Sequence, residues 1–231
     1  MRKCSDFFLF VMLLVSLFIT FPCKAEVVWS DNFDDGNYDG WYVTNGIFTA
    51  EDHTLKPVLG NNDYWISHMS TVDNGTWSFD ALVGEGIVVW TTWDSNIKNG
   101  LFVAIFPSSD GTHLRLFSFD NGNQSMIGEY VLSSGASSWQ HIDVTRDVDG
   151  RTCVYLNRTL YIDVVDHVVR KSQLFWYEPY ERASIDNIVV SNTVDIEPPP
   201  QSFYTQPWFL ATIGVVIVVA IVLVGLLKRR K

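Results

Sequence analysis

Trp139-Gln140-His141-Ile142-Asp143-Val144-Thr145-Arg146, then Asp147-Val148-Asp149-Gly150, then Arg151-Thr152-Cys153-Val154-Tyr155-Leu156-Asn157 is the stretch whose reading decides the fold. Two apolar-alternating runs, 140–146 and 151–156, flank a turn in which Gly150 supplies the left-handed or tight position. Period-two alternation places Val154 and Leu156 on one face and Cys153 and Tyr155 on the other. The stretch therefore reads as two β-strands, each with one face on a core.

Outward from that stretch, the same pattern recurs between residues 26 and 195, with no long heptads and no amphipathic helix. Runs 46–50, 64–68, 76–83, 86–93, 101–106, 113–119, 126–132, 160–164, 172–176 and 183–191 read as strands. Ser109-Asp110-Gly111 and Asn121-Gly122 are turn pieces between them. Roughly twelve regularly spaced strands, rich in Val, Ile, Phe, Trp and Thr, predict an all-β, two-sheet antiparallel sandwich. Ile87-Val88-Val89-Trp90 and 101–106 are apolar at successive positions. These strands are expected at a sheet centre, with one face on the core and the other in a covered or functional groove.

The two ends carry different signals. Residues 208–227 are twenty residues without a charge, followed by Lys228-Arg229-Arg230-Lys231. At ~1.5 Å per residue, such a run spans the ~30 Å hydrocarbon core of a bilayer as a transmembrane helix. The basic tail, 228–231, is expected to stay cytoplasmic. Met1-Arg2-Lys3, an apolar 7–21 and Cys23-Lys24-Ala25 make 1–25 a signal peptide cut after Ala25. Pro198-Pro199-Pro200 marks 195–207 as an extended juxtamembrane stalk. The expected layout is a type I single-pass protein of the cell membrane, with one domain, 26–194, outside.

The chain has 231 residues and a formal net charge of −10. Within 26–207 it carries 25 acidic and nine basic residues, so the outer segment is near −16. Such a surface repels nucleic acid, because phosphate neutralisation needs clustered Lys and Arg. Divalent cations and neutral sugars remain compatible with it. Cys153 is the one cysteine left after signal-peptide cleavage, which excludes an intrachain disulfide. Its place in an alternating strand predicts a buried hydrophobe rather than a reactive or interchain thiol.

Three motifs in order carry a resemblance. Trp29-Ser30-Asp31-Asn32-Phe33-Asp34-Asp35-Gly36 is followed by Gly40-Trp41 and a turn at Gly46; next comes the 139–157 stretch; last comes Ser184-Ile185-Asp186-Asn187-Ile188-Val189-Val190. Together they resemble the opening strand, central hairpin and closing strand of concanavalin A-like, laminin G-like jelly-roll domains, over residues 29–191. The resemblance implies a jelly roll whose first and last strands lie side by side, with Trp41 and Trp139 plugging the core. It also implies a structural calcium ion held at Asp34 and Asp186, whose oxygens suit that metal. One departure is plain: Asn157 is followed by Arg158 where the family turns on glycine, and arginine suits positive φ poorly.

Relatives of this fold that hydrolyse glycans carry a Glu-x-Asp-x-x-Glu run, which is absent here. Asp163 and Asp166 are three apart and fall on opposite strand faces, while Glu178 and Glu181 flank Pro179 and read as loop residues. There is no Gly-x-Ser-x-Gly elbow, His-Glu-x-x-His pair or phosphate loop, and the five histidines are scattered. The expectation is a protein that is not an enzyme. Relatives also recognise sugars with aromatic rings on the concave sheet, because a flat indole matches the apolar face of a pyranose. Trp65, Trp90, Trp93, Trp176 and Tyr177 are the candidates, with Asp94, Asn96 and Asn99 as hydrogen-bonding neighbours. An odd spacing sends Trp90 and Trp93 to opposite faces of a regular strand. Asn74, Asn123 and Asn157 begin N-glycosylation sequons. The expected function is a tethered surface module that binds carbohydrate or another envelope partner. Its rivals are a structural or adhesive domain whose groove is filled by its own side chains, and a glycan hydrolase without the usual motif.

Overall fold

The computed structural model describes residues 26–58, 60, 63–133, 138–168 and 171–194. The expected signal peptide 1–25, the expected stalk 195–207, the expected transmembrane run 208–227 and the basic tail 228–231 lie outside them. Among the described residues no helix is long and apolar enough to cross a membrane.

The alternating runs pair into two antiparallel sheets. One has six strands in the order β1 (Val27–Asp31), β15 (Ser184–Ser191), β6 (Gly75–Leu82), β11 (Gln140–Arg146), β12 (Arg151–Leu156) and β13 (Thr159–Val165). The other has seven, in the order β10 (Asn123–Leu132), β9 (Gly111–Asp120), β8 (Asn99–Ser108), β7 (Ile87–Asp94), β14 (Leu174–Pro179), β5 (Trp65–Met69) and β2 (Trp41–Asn45). A small ribbon, β3 (Phe48–Thr49) with β4 (Lys56–Pro57), lies outside both. β1 and β15 are paired, so the first and last strands are neighbours, as the jelly-roll resemblance implies.

Inward-facing residues of both sheets form one core. Trp77 and Phe79 of β6, Ile142 and Val144 of β11, and Val154 and Leu156 of β12 meet Val89, Val103, Leu114 and Phe175 from the other sheet. Each such buried side chain contributes ~1.5–3 kcal/mol over its exposed state. The alternation in β12 runs as its sequence predicts, with Cys153 buried outside this core cluster and Tyr155 half-buried. Trp41 plugs the core and donates its indole N–H to Asp31 Oδ2 at 2.8 Å. Trp139 does not: it lies just before β11 and is exposed, so only one of the two expected plugs is a core residue.

The 156–159 hairpin keeps its tight turn despite the missing glycine. Asn157 has φ 49° and Arg158 φ 66°, so both central residues are left-handed. The Asn157 side chain stabilises this turn by accepting from His141 N at 3.0 Å and donating to Gln140 Oε1 at 2.8 Å.

β7 and β8 lie at the centre of the seven-stranded sheet, as their doubly apolar sequences predict. Their outward positions form a second apolar cluster of Val88, Phe102 and Ala104, with Trp90, Phe106, Phe117 and Phe119 packed on it.

Candidate functional site

That second cluster is the centre of an aromatic platform on the outer face of the seven-stranded sheet. Register fixes its layout. Phe117, Phe102, Trp90 and Trp176 are successive partners across β9, β8, β7 and β14. Phe119, Gly100, Trp93 and Leu174 form the adjacent row.

Trp90 is the hub. Its ring centroid lies 4.4 Å from Phe102, 5.2 Å from Phe119, 4.8 Å from Trp93 and 6.3 Å from Trp176. Phe102 stacks on Phe117 at 4.7 Å and 11°, and Trp176 meets Trp65 edge-on at 5.7 Å.

Trp90 and Trp93 share one face, contrary to the expectation from their spacing. Between them β7 carries one more residue than either neighbour: Trp90 pairs with Phe102 and Trp176, while Trp93 pairs with Gly100 and Leu174. This β-bulge absorbs the odd step, and the Thr91 hydroxyl donates to Leu101 O at 3.2 Å beside it. Gly100 completes the arrangement. A Cβ there would lie 2.7 Å from the Trp93 ring and 2.8 Å from Thr92 O, so the two indoles need its bare backbone.

Tyr177 does not belong to the platform. It neighbours Trp176 on β14 and therefore points the other way, fully buried in the core, where burial raises its hydroxyl pKa well above the usual value. Asp94 is buried and spends Oδ1 on Asn96 N at 2.8 Å; Asn99, also buried, accepts from Asn121 N at 2.7 Å. These two side chains build the 94–99 hairpin and its neighbouring turn, and Asn96 is exposed within that hairpin. Trp65, Trp90, Trp93 and Trp176 are thus the four candidates brought together.

Sequence reasoning missed Glu178. It lies on β14, not in a loop, two residues from Trp176 on the same face. Its Oε1 accepts the Trp90 indole N–H at 2.9 Å. Burial among the rings raises its pKa, the Trp90 hydrogen bond opposes this, and the Asp63 carboxylate adds to it. The period-two relation to Trp176 was the available signal, hidden by Pro179, which the strand accommodates at its last position. Ala104 and Val88, beside Glu178 in register, lie buried under neighbouring side chains, so the site is a platform rather than a pit.

A second polar group lies on the outer face of the six-stranded sheet. His141 Nδ1 is 2.6 Å from Asp80 Oδ1, and its Nε2 is 3.3 Å from both Ser78 Oγ and Asp143 Oδ1. The order Asp80–His141–Ser78 has the outline of a nucleophilic triad. Asp143 changes its chemistry. Its hydrogen bond to the ring, opposed by burial and reinforced by Asp80, holds the His141 pKa at about 9. At neutral pH the ring is an imidazolium and cannot accept the Ser78 proton, which Ser78 already donates to Asp143 at 2.7 Å.

Burial raises the Asp186 pKa, a hydrogen bond from Asn187 N opposes it, and the nearby Asp80, Asp34 and Asp31 carboxylates add to the rise. Asp34 Oδ2 also accepts from Asn32 Nδ2 at 2.6 Å. Among the described residues no three His, Cys, Asp or Glu side chains converge to hold a metal ion. Two carboxylates are an incomplete set for calcium, which takes six to eight oxygens. Of the sequons, Asn123 begins β10 and is exposed, Asn74 is half-buried 3.5 Å from Arg146, and Asn157 is exposed in its hairpin turn.

No protein-family model matches the chain, and no match is found among curated proteins. Solved structures do resemble it. A carbohydrate-binding module, CBM66 from Bacillus subtilis, is 22% identical, with TM-score 0.52 over 68% of this chain and 95% of its own. A Bacillus licheniformis β-glucanase is 10% identical, with TM-score 0.56 over 74% of this chain and all of its own. A Bacillus subtilis protein of unknown function with a galectin-like fold is 13% identical, with TM-score 0.60 over 75% of this chain and 99% of its own. At these identities the likeness is one of fold: the described domain has a two-sheet jelly-roll sandwich fold, consistent with the concanavalin A-like resemblance.

Proposed function

We propose that the chain is a carbohydrate-binding module without catalytic activity, held at the cell membrane by residues 208–227 with domain 26–194 outside. One observation carries the binding reading: Trp65, Trp176, Trp90 and Trp93 are gathered on one outward sheet face, with Trp65 39% exposed. Indole faces stack on the apolar faces of pyranoses while the sugar hydroxyls stay free for polar partners. The similarity to a carbohydrate-binding module supports the same reading. The apolar run and basic tail support the tether. Calcium at Asp34 and Asp186 belongs to this proposal as a structural ion completed by backbone carbonyls, and a melting temperature unmoved by chelator removes it.

The test is a glycan array followed by calorimetry on the full chain in a non-glycosidic detergent. Trp65→Ala is expected to weaken the best ligand about tenfold, the loss of one good stacking contact. Unchanged affinity in both Trp65→Ala and Trp176→Ala would remove the platform.

A second reading, a glycan hydrolase, is favoured by Glu178, whose raised pKa suits a general acid. Release of reducing ends by the wild type and its loss in Glu178→Gln would establish that reading.

A further inference from the structure

We infer that Glu178 makes the platform selective for uncharged saccharides and turns away carboxylated and sulfated ones. This rests on the carbohydrate reading of the same face and adds the class of sugar.

The position of the carboxylate supplies the first argument. Trp176 and Glu178 share the outward face of β14, and Trp90 donates its indole N–H to Glu178 Oε1 at 2.9 Å. A ring stacked on Trp90 or Trp176 therefore brings its edge hydroxyls to this carboxylate, whose second oxygen is an acceptor for them. Charge-assisted acceptance from hydroxyls is strong and directional. The same oxygen meets a uronate or sulfate as like charge.

The surroundings supply the second. Glu178 is flanked by Val88 in register and by the rings of Trp90 and Trp176, so it is poorly solvated. Like charges repel most strongly where water is excluded, so an anionic sugar meets either that repulsion or the uptake of a proton by Glu178, whose burial favours its neutral form. Asp63 adds a second negative charge close by.

The third argument is the balance of cations. Arg115 shares the register row of Glu178, through Ala104 and Val88. Three strand spacings of ~4.8 Å put its backbone ~14 Å away. Its Nε is tied to Glu129 Oε1 at 2.7 Å, and His113 bonds the same Glu129 oxygen at 3.0 Å. The basic group of this row, Arg115, and His113 beside it are thus both held by a protein carboxylate. An anionic sugar gains no fresh ion pair at Arg115 and meets repulsion at Glu178.

The experiment compares one glycan backbone in neutral, carboxylated and sulfated forms. Binding to the full chain in a non-glycosidic detergent is followed by tryptophan fluorescence at pH 7.5 and low salt. The wild type is expected to favour the neutral form at least tenfold. Glu178→Gln keeps an acceptor for the Trp90 N–H, weakens neutral binding several-fold and narrows the neutral-to-anionic ratio to within about threefold, expressed as a shift toward the anionic forms. Equal or tighter anionic binding by the wild type overturns the inference and leaves the carbohydrate reading standing. So does a neutral-to-anionic ratio that Glu178→Gln does not change. Silence toward all three forms overturns both.

Discussion

Raising the pH from 6 to 9.5 should remove ~1–1.5 kcal/mol of stability that depends on one ring, His141. In β11 its two nitrogens face Asp80 at 2.6 Å and Asp143 at 3.3 Å. Hydrogen bonding to Asp143 is the largest effect, and the pKa rises from 6.5 to about 9. The folded state therefore holds this proton more tightly than the unfolded chain. The stabilisation is fully present below about pH 6.5 and is lost as pH climbs through about 9. Full conversion of such a shift gives ~3.4 kcal/mol. The side chain is 39% exposed, so solvent screening reduces the figure to the range above. Cys153 and His113 act in the same direction, because burial raises the thiol pKa and hydrogen bonds to Asp110 and Glu129 raise that of the ring, so the comparison is made in a Cys153→Ala, His113→Gln background. Urea melts at half-unit pH steps should show the slope in that background and lose it when His141→Gln is added. An NMR titration of the ring reads the pKa directly. A ring that titrates at or below 6.5, or a slope that survives His141→Gln, refutes the reasoning. The low value would also return Ser78 and His141 to consideration as nucleophile and base.

Three further outcomes follow from particular contacts. Tyr177→Phe should be neutral or raise stability by up to ~1 kcal/mol in denaturant melts, because the buried hydroxyl finds no partner among the described residues. A loss above ~2 kcal/mol would mean that the hydroxyl is bonded. Arg158→Gly should stabilise by ~0.5–1 kcal/mol, since φ 66° is costly for any residue with a Cβ; an unchanged midpoint would show that the turn carries no strain. Gly100→Ala should destabilise by ~1–3 kcal/mol and weaken sugar binding, by pushing a methyl into the Trp93 ring and Thr92 O. Wild-type affinity in that variant would show that the two indoles are not held as a unit.

Much of the frame could be read in the residues. The 140–146 and 151–156 strands match β11 and β12 residue for residue, because their alternation is strict and a glycine turn separates them. Sequence patterning does not mark β2 as a strand, since after Trp41 the run Tyr42-Val43-Thr44-Asn45 is exposed at a sheet edge and shows no buried alternation. The site was less legible. Four of the five aromatic candidates share a face, but the fifth, Tyr177, obeys strand alternation with its neighbour Trp176 and so turns into the core. Trp90 and Trp93 break the same rule and still share a face, because an extra residue in one strand of a ladder leaves no mark in composition or period. Glu178 was concealed by the proline beside it.

The two outer sheet faces make the strongest case that the aromatic platform is there for a ligand. An antiparallel sheet turned to water normally carries polar side chains on that side. The six-stranded sheet follows this rule, showing Thr76, Ser78 and Asp80 beside His141, Asp143 and Thr145. The seven-stranded sheet places Trp65, Trp176, Trp90, Trp93, Phe117 and Phe119 in the equivalent position. One sequence builds both faces, so composition alone does not explain the contrast. Mutual packing explains the burial of Phe102, yet it leaves Trp65, edge-on to Trp176 from the neighbouring strand, 39% exposed. A purely structural cluster gains little from an indole left in water. Trp65→Ala separates the explanations: structure alone predicts a small stability change and no effect on any ligand, whereas a sugar platform predicts lost affinity in a domain that melts almost as before.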